Sequence, residues 1–261
     1  MMMINIYKGK RASHSALELS KALNVKIIKY SGSKYKAMPH KLIINWGSTE
    51  LPVEYNKSRV LNHPNVLATT INKFSFFNTV NGLVSIPPFT DDKDKVKQWL
   101  NDGDIVLARL SLVSSGGKHI KVMENSLDFV DAPCYTKYIP KKKEYRIHFM
   151  NGKPFYYQRK LFKKENLPEG KEPDWLIRSH SNGFVFSSNP NSISIIPEDV
   201  LLQAHRAIQA LSLDFGALDI IYNESQDRAY VLEVNSAPGL EEKTLQAYVN
   251  QFKSEYKECM N

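Results

Sequence analysis

The sequence predicts a small α/β domain at its amino end, followed by a larger α+β domain. Three observations predict this. Residues 4–46 run strand, helix, strand, strand, the order of a parallel sheet with a crossover helix. Asn151-Gly152 separates two alternating segments, 144–150 and 153–160, and Asn-Gly is the strongest short hairpin signal. Two apolar, β-branched runs, Phe215–Tyr222 and Ala229–Val234, flank the turn-like stretch Asn223–Arg228 and read as a second hairpin.

Length and composition bound the rest. A chain of 261 residues holds one large domain or two small ones. No apolar run reaches the ~18 residues of a membrane span, and the amino end lacks the pattern of a signal peptide. With only Cys134 and Cys259, far apart, a disulfide framework is not expected, and a reducing cytoplasm is the expected compartment. The net charge of +8 points to an anionic partner. The lysines are spread along the chain, with one dense run at Lys141-Lys142-Lys143, so nucleic acid is not expected as the main partner.

In order, Ile4–Tyr7 reads as a strand. Ser13–Leu23 reads as a helix with Ala16, Leu17, Leu19, Ala22 and Leu23 on its apolar face, and Val25–Tyr30 and Lys41–Trp46 read as strands. Ligands in such sheets gather beyond the carboxyl ends of strands, which puts Asn45, Trp46, Gly47 and Ser48 on a candidate substrate side; a plain turn with a core Trp is the simpler alternative. Asn72–Val80 and Asp91–Asp102 read as helices and Asp104–Leu110 as a strand. That strand enters Ser114-Ser115-Gly116-Gly117-Lys118, a loop whose glycines would let backbone amides face an anion. Pro197–Leu211 and Thr244–Tyr256 read as helices.

The second hairpin carries the chemistry. Paired symmetrically about Gln226, it sets Asp219 opposite Glu233, with Asn235 on the face of Glu233 by the period of two. Opposed residues have Cβ atoms about 4.5–5.5 Å apart, and like charges so placed repel. Two carboxylates and an amide oxygen on one patch point to a cation, and hard oxygen ligands suit Mg²⁺ held partly by phosphates. The alternative is pairing with nearby Lys or Arg and no metal. On the hairpin strands 144–160, Arg146 and His148 share a face and Arg159 and Lys160 lie at the far end; cations converging there would hold phosphate oxygens.

Asp219-Ile-Ile and Leu232-Glu-Val-Asn-Ser-Ala-Pro-Gly-Leu-Glu resemble the metal-binding end of the ATP-grasp superfamily, which includes glutathione synthetase, D-alanine–D-alanine ligase and ligases that add glutamate to a ribosomal protein. The resemblance is clearest over about residues 104–241. It implies an N-terminal α/β (pre-ATP-grasp) domain over 1–75 and a two-lobed ATP-grasp domain over 76–261, with a lid lobe at about 104–140 and a catalytic lobe at about 141–261. It implies ATP and two Mg²⁺ ions as cofactors, with Asp219, Glu233 and Asn235 as metal ligands. Ser115, Gly116 and Gly117 would cover the phosphates. Arg109 would stand where the family usually has a Lys, which keeps the charge but changes its shape. Lys137, Tyr138 and Ile139 would hold adenine and Glu144 the ribose. Arg146, Arg159, Lys160, Arg178 and Asn182, the last two in a segment similar to the family's R-x-x-x-N-G, would act near the reacting phosphate. Asn62, Lys73 and Pro87–Thr90 resemble the family's linking region more faintly.

The activity implied is that of a carbon–nitrogen ligase, which activates a carboxylate as an acyl phosphate and joins it to an amine. The substrates expected are small-molecule or peptide carboxylates and amines, with a protein acceptor and a homo-oligomer left open. The compact length and Glu144-Tyr-Arg-Ile-His-Phe-Met-Asn-Gly-Lys look most like small ligases found in bacteriophage genomes, which would place the protein in a host cytoplasm. Two rivals stand beside this: an ATP-dependent phosphotransferase, and an inactive ATP-grasp-fold binding protein. Asp214-Phe215-Gly216 mimics a kinase motif, but no H-R-D-x-x-x-x-N or G-x-G-x-x-G accompanies it.

Overall fold

Alternation in the first strand sets the amino-terminal layer. In the computed structural model, which describes residues 3–10, 13–113 and 119–257, β1 (Met3–Tyr7) presents Ile4 and Ile6 to α1 (His14–Leu23). The Ser13 hydroxyl accepts from the Ala16 amide to start α1, and Asn24 ends it in the left-handed region at φ 55°. β1 pairs in parallel with β2 (Lys26–Ile28) and β3 (Lys41–Asn45), and β3 pairs with β4 (Arg59–Leu61). The sheet order is β2-β1-β3-β4. The parallel sheet is as expected; β4 is added, a three-residue strand too short to carry a period.

Two short helices follow, α2 (Pro64–Ile71) and α3 (Lys73–Val80), where one was expected; Asn72 caps α3 through the Ser75 amide. The middle sheet contains β5 (Phe89–Thr90), β6 (Val106–Arg109), β7 (Ile120–Met123) and β8 (Cys134–Lys137), in the order β5-β8-β6-β7. α4 (Lys93–Asn101), capped by Asp92, packs Val96, Trp99 and Leu100 against Val106, Ala108, Met123 and Tyr135. The loop with Ser115, Gly116 and Gly117 lies outside the described residues.

The third sheet is antiparallel. It contains β9 (Lys143–Met150), β10 (Lys153–Phe162), β11 (Phe184–Ser187), β12 (Phe215–Asn223) and β13 (Arg228–Asn235), in the order β11-β10-β9-β12-β13. Asn151 and Gly152, at φ 48° and 77°, close β9 onto β10, the positive pair that a tight hairpin needs. Between β11 and β12 lie α5 (Pro190–Ile193) and α6 (Glu198–Leu211), and α6 covers one face of the sheet with Val200, Ala204, Ala207, Ile208 and Leu211. α7 (Glu242–Glu255) sends Tyr248, Val249 and Phe252 into the core it shares with β1, β3 and α1, where Trp46 stacks on Phe215 at 5.3 Å. Among the described residues, no helix is long and apolar enough to cross a membrane.

Candidate active site

The site is built on a row that crosses the third sheet. Gln158 on β10 pairs with Arg146 on β9, Arg146 with Asp219 on β12, and Asp219 with Glu233 on β13. All four side chains line one cavity. The neighbouring rows add Glu144 beside Ile221, and Asn235 beside Ala217.

Glu233 reaches this face because of a bulge. Near the turn the strands pair as Asn223–Arg228, Tyr222–Ala229, Ile221–Tyr230 and Ile220–Val231. That register, centred before Gln226, would leave Asp219 opposite Leu232. Leu232 is instead an extra residue, and Asp219 pairs with Glu233. The bulge also reverses the alternation: Ala229, Val231 and Val234 face the core, while Leu232, Glu233 and Asn235 face the cavity. The opposition expected from pairing about Gln226 is present, through a shift that symmetric pairing does not contain.

The cavity, about 460 Å³, lies between the middle and third sheets. Leu107, Arg109, Ile120 and Thr136 form the opposite wall, and Leu176, Ile177, Phe184 and Phe186 close a mainly apolar end. Arg109 is 7% exposed, and its Nε is buried without a hydrogen-bond partner among the described residues. Its guanidinium lies 5.6 Å from the Phe77 ring. A buried cation with donors unused is costly unless a ligand completes it. Thr136 Oγ1 is likewise buried and unpartnered. The Lys137 and Tyr138 amides bond the Pro88 and Ile105 carbonyls at 2.9 and 2.8 Å, while the Ile139 amide has no partner among the described residues. The Lys137 ammonium pairs with Asp104.

Charge at the polar end is closely balanced. Arg146 donates from Nε and an Nη to the two oxygens of Asp219 at 2.7 and 2.8 Å. Lys73, at the start of α3, pairs with Glu233, whose other oxygen accepts from Asn235 Nδ2 at 3.3 Å. Burial pushes the Asp219 carboxyl up, against the pull of Arg146. Burial acts the same way on Glu233, but Lys73, then Arg146 and Arg109, outweigh it and hold that carboxyl down to about 2. The donor set fits a hard divalent cation: two carboxylates and the Asn235 amide oxygen on one wall. No group of three or more His, Cys, Asp or Glu that could hold a metal occurs among the described residues, so the protein offers a part-shell that substrate phosphates would complete.

Several expected residues stand elsewhere or act differently. Arg159 alternates to the other face from Gln158 and Lys160 and does not line the cavity. Asn182 also lies off the cavity lining, and its amide donates to the Ile177 carbonyl at 2.7 Å, bracing the loop. Arg178 lines the cavity but donates to the Lys141 and Lys142 carbonyls at 2.8 and 3.1 Å. Glu144, 4% exposed, pairs with Lys160. His148 is no phosphate-binding cation: it is fully buried between Tyr248 and Gln158, and burial pushes its pKa down to about 3. Asn45 and Trp46 are buried packing residues, with Asn45 Nδ2 bonding the Ser48 and Asn62 carbonyls at 2.8 Å.

Sequence reasoning passed over three cavity residues. Lys73 was a faint match with no role; its partner Glu233 is 160 positions away, beyond any local pattern. Gln158 sits in the central row, signalled only by strand alternation two positions before Lys160. Lys141 was hidden in a lysine run that looks like solvated surface. It lines the cavity, donates to the Leu176 carbonyl at 3.0 Å and lies 4.8 Å from the Tyr138 ring, and burial lowers its pKa to about 8.

No family model matches the chain, and no curated protein is similar to it in sequence. Solved structures are similar in fold. The ATP-grasp ligase PsnB, complexed with a phosphomimetic variant of its minimal precursor, Mg and ADP, is 10% identical with a TM-score of 0.66, covering 100% of this chain and 99% of that one. D-alanine–D-alanine ligase from Bacillus anthracis, complexed with ATP, is 11% identical with a TM-score of 0.65, covering 99% of both. A RimK domain ATP-grasp protein from Sphaerobacter thermophilus is 10% identical with a TM-score of 0.59, covering 97% of this chain and 98% of that one.

Proposed function

Because the chain has the ATP-grasp fold, we propose that it is an ATP- and Mg²⁺-dependent carboxylate–amine ligase that forms an amide bond through an acyl phosphate. The observation that carries this reading is the row Arg146–Asp219–Glu233 facing Arg109, whose Nε has no hydrogen-bond partner among the described residues, across one cavity. In it, a substrate carboxylate oxygen bonds to the γ-phosphorus as the bond to the bridging oxygen breaks, and ADP leaves with the electron pair. An amine then attacks the acyl carbon, phosphate departs, and the nitrogen loses a proton.

The chain's own residues position the reactants and offset charge. Arg109 offers unused donors to the phosphates, and Arg146 and Lys73 add positive charge on the opposite wall. Ile139 and the apolar end take the base, Glu144 the ribose, and Lys160 holds Glu144 in place. Asp219, Glu233 and Asn235 would hold Mg²⁺, two ions in this reading, which supply charge neutralisation when bound. Arg146 and Lys73 pair with both carboxylates, so these two cations would have to give way for Asp219 and Glu233 to hold Mg²⁺. PsnB is held with its precursor, which supports a peptide as one class of substrate.

The test is ADP release from Mg²⁺-ATP with pools of amino acids and peptides, with Glu233→Ala as the control. Release that needs one carboxylate and one amine, and is lost in the variant, supports the ligase. Release with a single acceptor and no amine identifies a phosphotransferase instead. Failure to bind Mg²⁺-ATP overturns the reading.

A further inference from the structure

The net charge of this protein is segregated. Residues 1–62 carry eleven Lys and Arg against three Glu and no Asp, while residues 63–261 hold twenty-four of each sign. The whole excess of +8 therefore sits in residues 1–62, which form the first sheet and α1. Among the described residues 3–62, only Lys21 has an ion-pair partner, Glu18. In the rest of the chain, Lys73, Lys93, Lys137, Lys143 and Arg146 are each paired with an acid.

Several of the cations without an ion-pair partner lie on one side of the amino-terminal sheet, while Arg59 lies on the other, 5.5 Å from the Tyr256 ring. The face away from α1 is roofed by Tyr7, Tyr55 and Tyr35, with ring centroids 6.1 and 5.1 Å apart. The chain over 33–37 belongs to no helix or strand, and its burial alternates. Tyr35 and Ala37 turn toward the sheet while Lys34 and Lys36 are exposed. The Lys41 ammonium lies 4.9 Å from the Tyr35 ring and bonds the Lys36 carbonyl at 2.6 Å. Lys57 is exposed beside Tyr55. At the carboxyl edge of the same sheet, Lys29 is exposed and Lys10 lies 5.4 Å from the Tyr30 ring. That edge meets the active-site cavity: a Cβ on Gly9 would strike Ser48, and one on Gly47 would strike Ala237, which lines the cavity.

We propose that this basic face docks an acidic peptide segment, rich in Asp or Glu, and leads its carboxylates over the Lys29–Lys10 edge into the cavity; the second half of this rests on the ligase reading above. Like charges crowded within a Debye length, about 8–10 Å, repel one another and attract a polyanion. The partner is a peptide and not a nucleic acid for two reasons. Tyr7 and Tyr55 are buried and Tyr35 is half-buried, so they offer bases no stacking platform. A carboxylate-rich peptide also carries the group the proposed reaction consumes. Lys34 and Lys36, two positions apart on this segment, match alternate side chains of an extended peptide.

The test uses fluorescence anisotropy on the full chain without nucleotide, with a labelled Glu-Gly repeat peptide and its Gln-Gly counterpart. The Glu-Gly peptide should bind, the Gln-Gly peptide should not, and affinity should fall as salt rises. The combined variant Lys29→Glu, Lys34→Glu, Lys36→Glu should weaken binding at least about tenfold. Lys→Gln at the same exposed positions should weaken it less, in the same direction, which controls for misfolding. In the ADP-release assay the charge-reversed variant should raise the KM for an acidic peptide and leave kcat unchanged. The proposal is overturned if both peptides bind alike, if the variants bind as the parent does, or if a single-stranded oligonucleotide of equal charge displaces the Glu-Gly peptide. Mg²⁺-ATP binding is read separately by thermal shift, so its loss counts against the ligase reading alone.

Discussion

Arg109 concentrates the tension between folding and function in one side chain. A guanidinium 7% exposed, with a buried Nε that has no partner among the described residues, opposes folding until a ligand meets it. Arg109→Met should therefore raise the Tm of the ligand-free protein while lowering ATP turnover by about a hundredfold or more. Paired thermal melts and ADP assays check both signs. His148 makes a second prediction, in pH. Its folded pKa of about 3 lies below the ordinary value near 6.5, so the fold favours neutral imidazole. The stability it contributes is present above about pH 6.5 and is lost as pH falls toward about 3, at no more than about 1.4 kcal/mol per pH unit. His148→Gln should flatten that acid loss, read as urea midpoints at about pH 4.5 and about pH 7. Equal slopes in parent and variant would contradict the assignment.

The element that decides the site is the β12–β13 hairpin and its bulge. Deleting Leu232 would restore plain pairing, with Glu233 following Val231 directly and staying opposite Asp219 on the cavity face. The variant should keep its strand content by circular dichroism and keep Mg²⁺-dependent ATP binding. Loss of that binding with strand content intact would show that the bulge does more than absorb the extra residue. This hairpin also marks how far the sequence can be read. Apolar runs, Asn-Gly and caps such as Ser13 and Asp92 are local signals, and the main elements they predict are present within a few residues. The bulge has no such signal, because Leu232 is as apolar as its neighbours. β4, β7 and β11, of three or four residues, exist through pairing with distant strands. Lys73 with Glu233 and Lys160 with Glu144 are ion pairs made by tertiary structure, so the cations over 141–160 could not be sorted into cavity and surface from their spacing. Alternation could have separated Arg159 from Lys160, since neighbours on a strand face opposite ways.

At the scale of the whole molecule, Asn62 joins the amino-terminal sheet to the start of β12. It is fully buried, with φ 53°. Its Oδ1 accepts from the Asp214 and Phe215 amides at 2.9 and 3.3 Å, its Nδ2 donates to the Phe215 carbonyl at 2.9 Å, and its own amide donates to Asp214 Oδ2 at 2.6 Å. Asn62→Ala strands these buried groups and should cost about 3 kcal/mol, lowering Tm by several degrees. An unchanged Tm would show that the pin is not needed. Nucleotide would draw together the middle sheet, through Arg109, and the third sheet, through Asp219 and Glu233.

The central claim, that the cavity activates a carboxylate with ATP, is tested most directly by trapping. The protein, Mg²⁺-ATP and an acidic peptide are incubated with hydroxylamine, and hydroxamate and ADP are measured together. The account predicts hydroxamate on the peptide in one-to-one ratio with ADP, abolished in Glu233→Gln. ADP formed without hydroxamate, or hydroxamate undiminished in the variant, would contradict it.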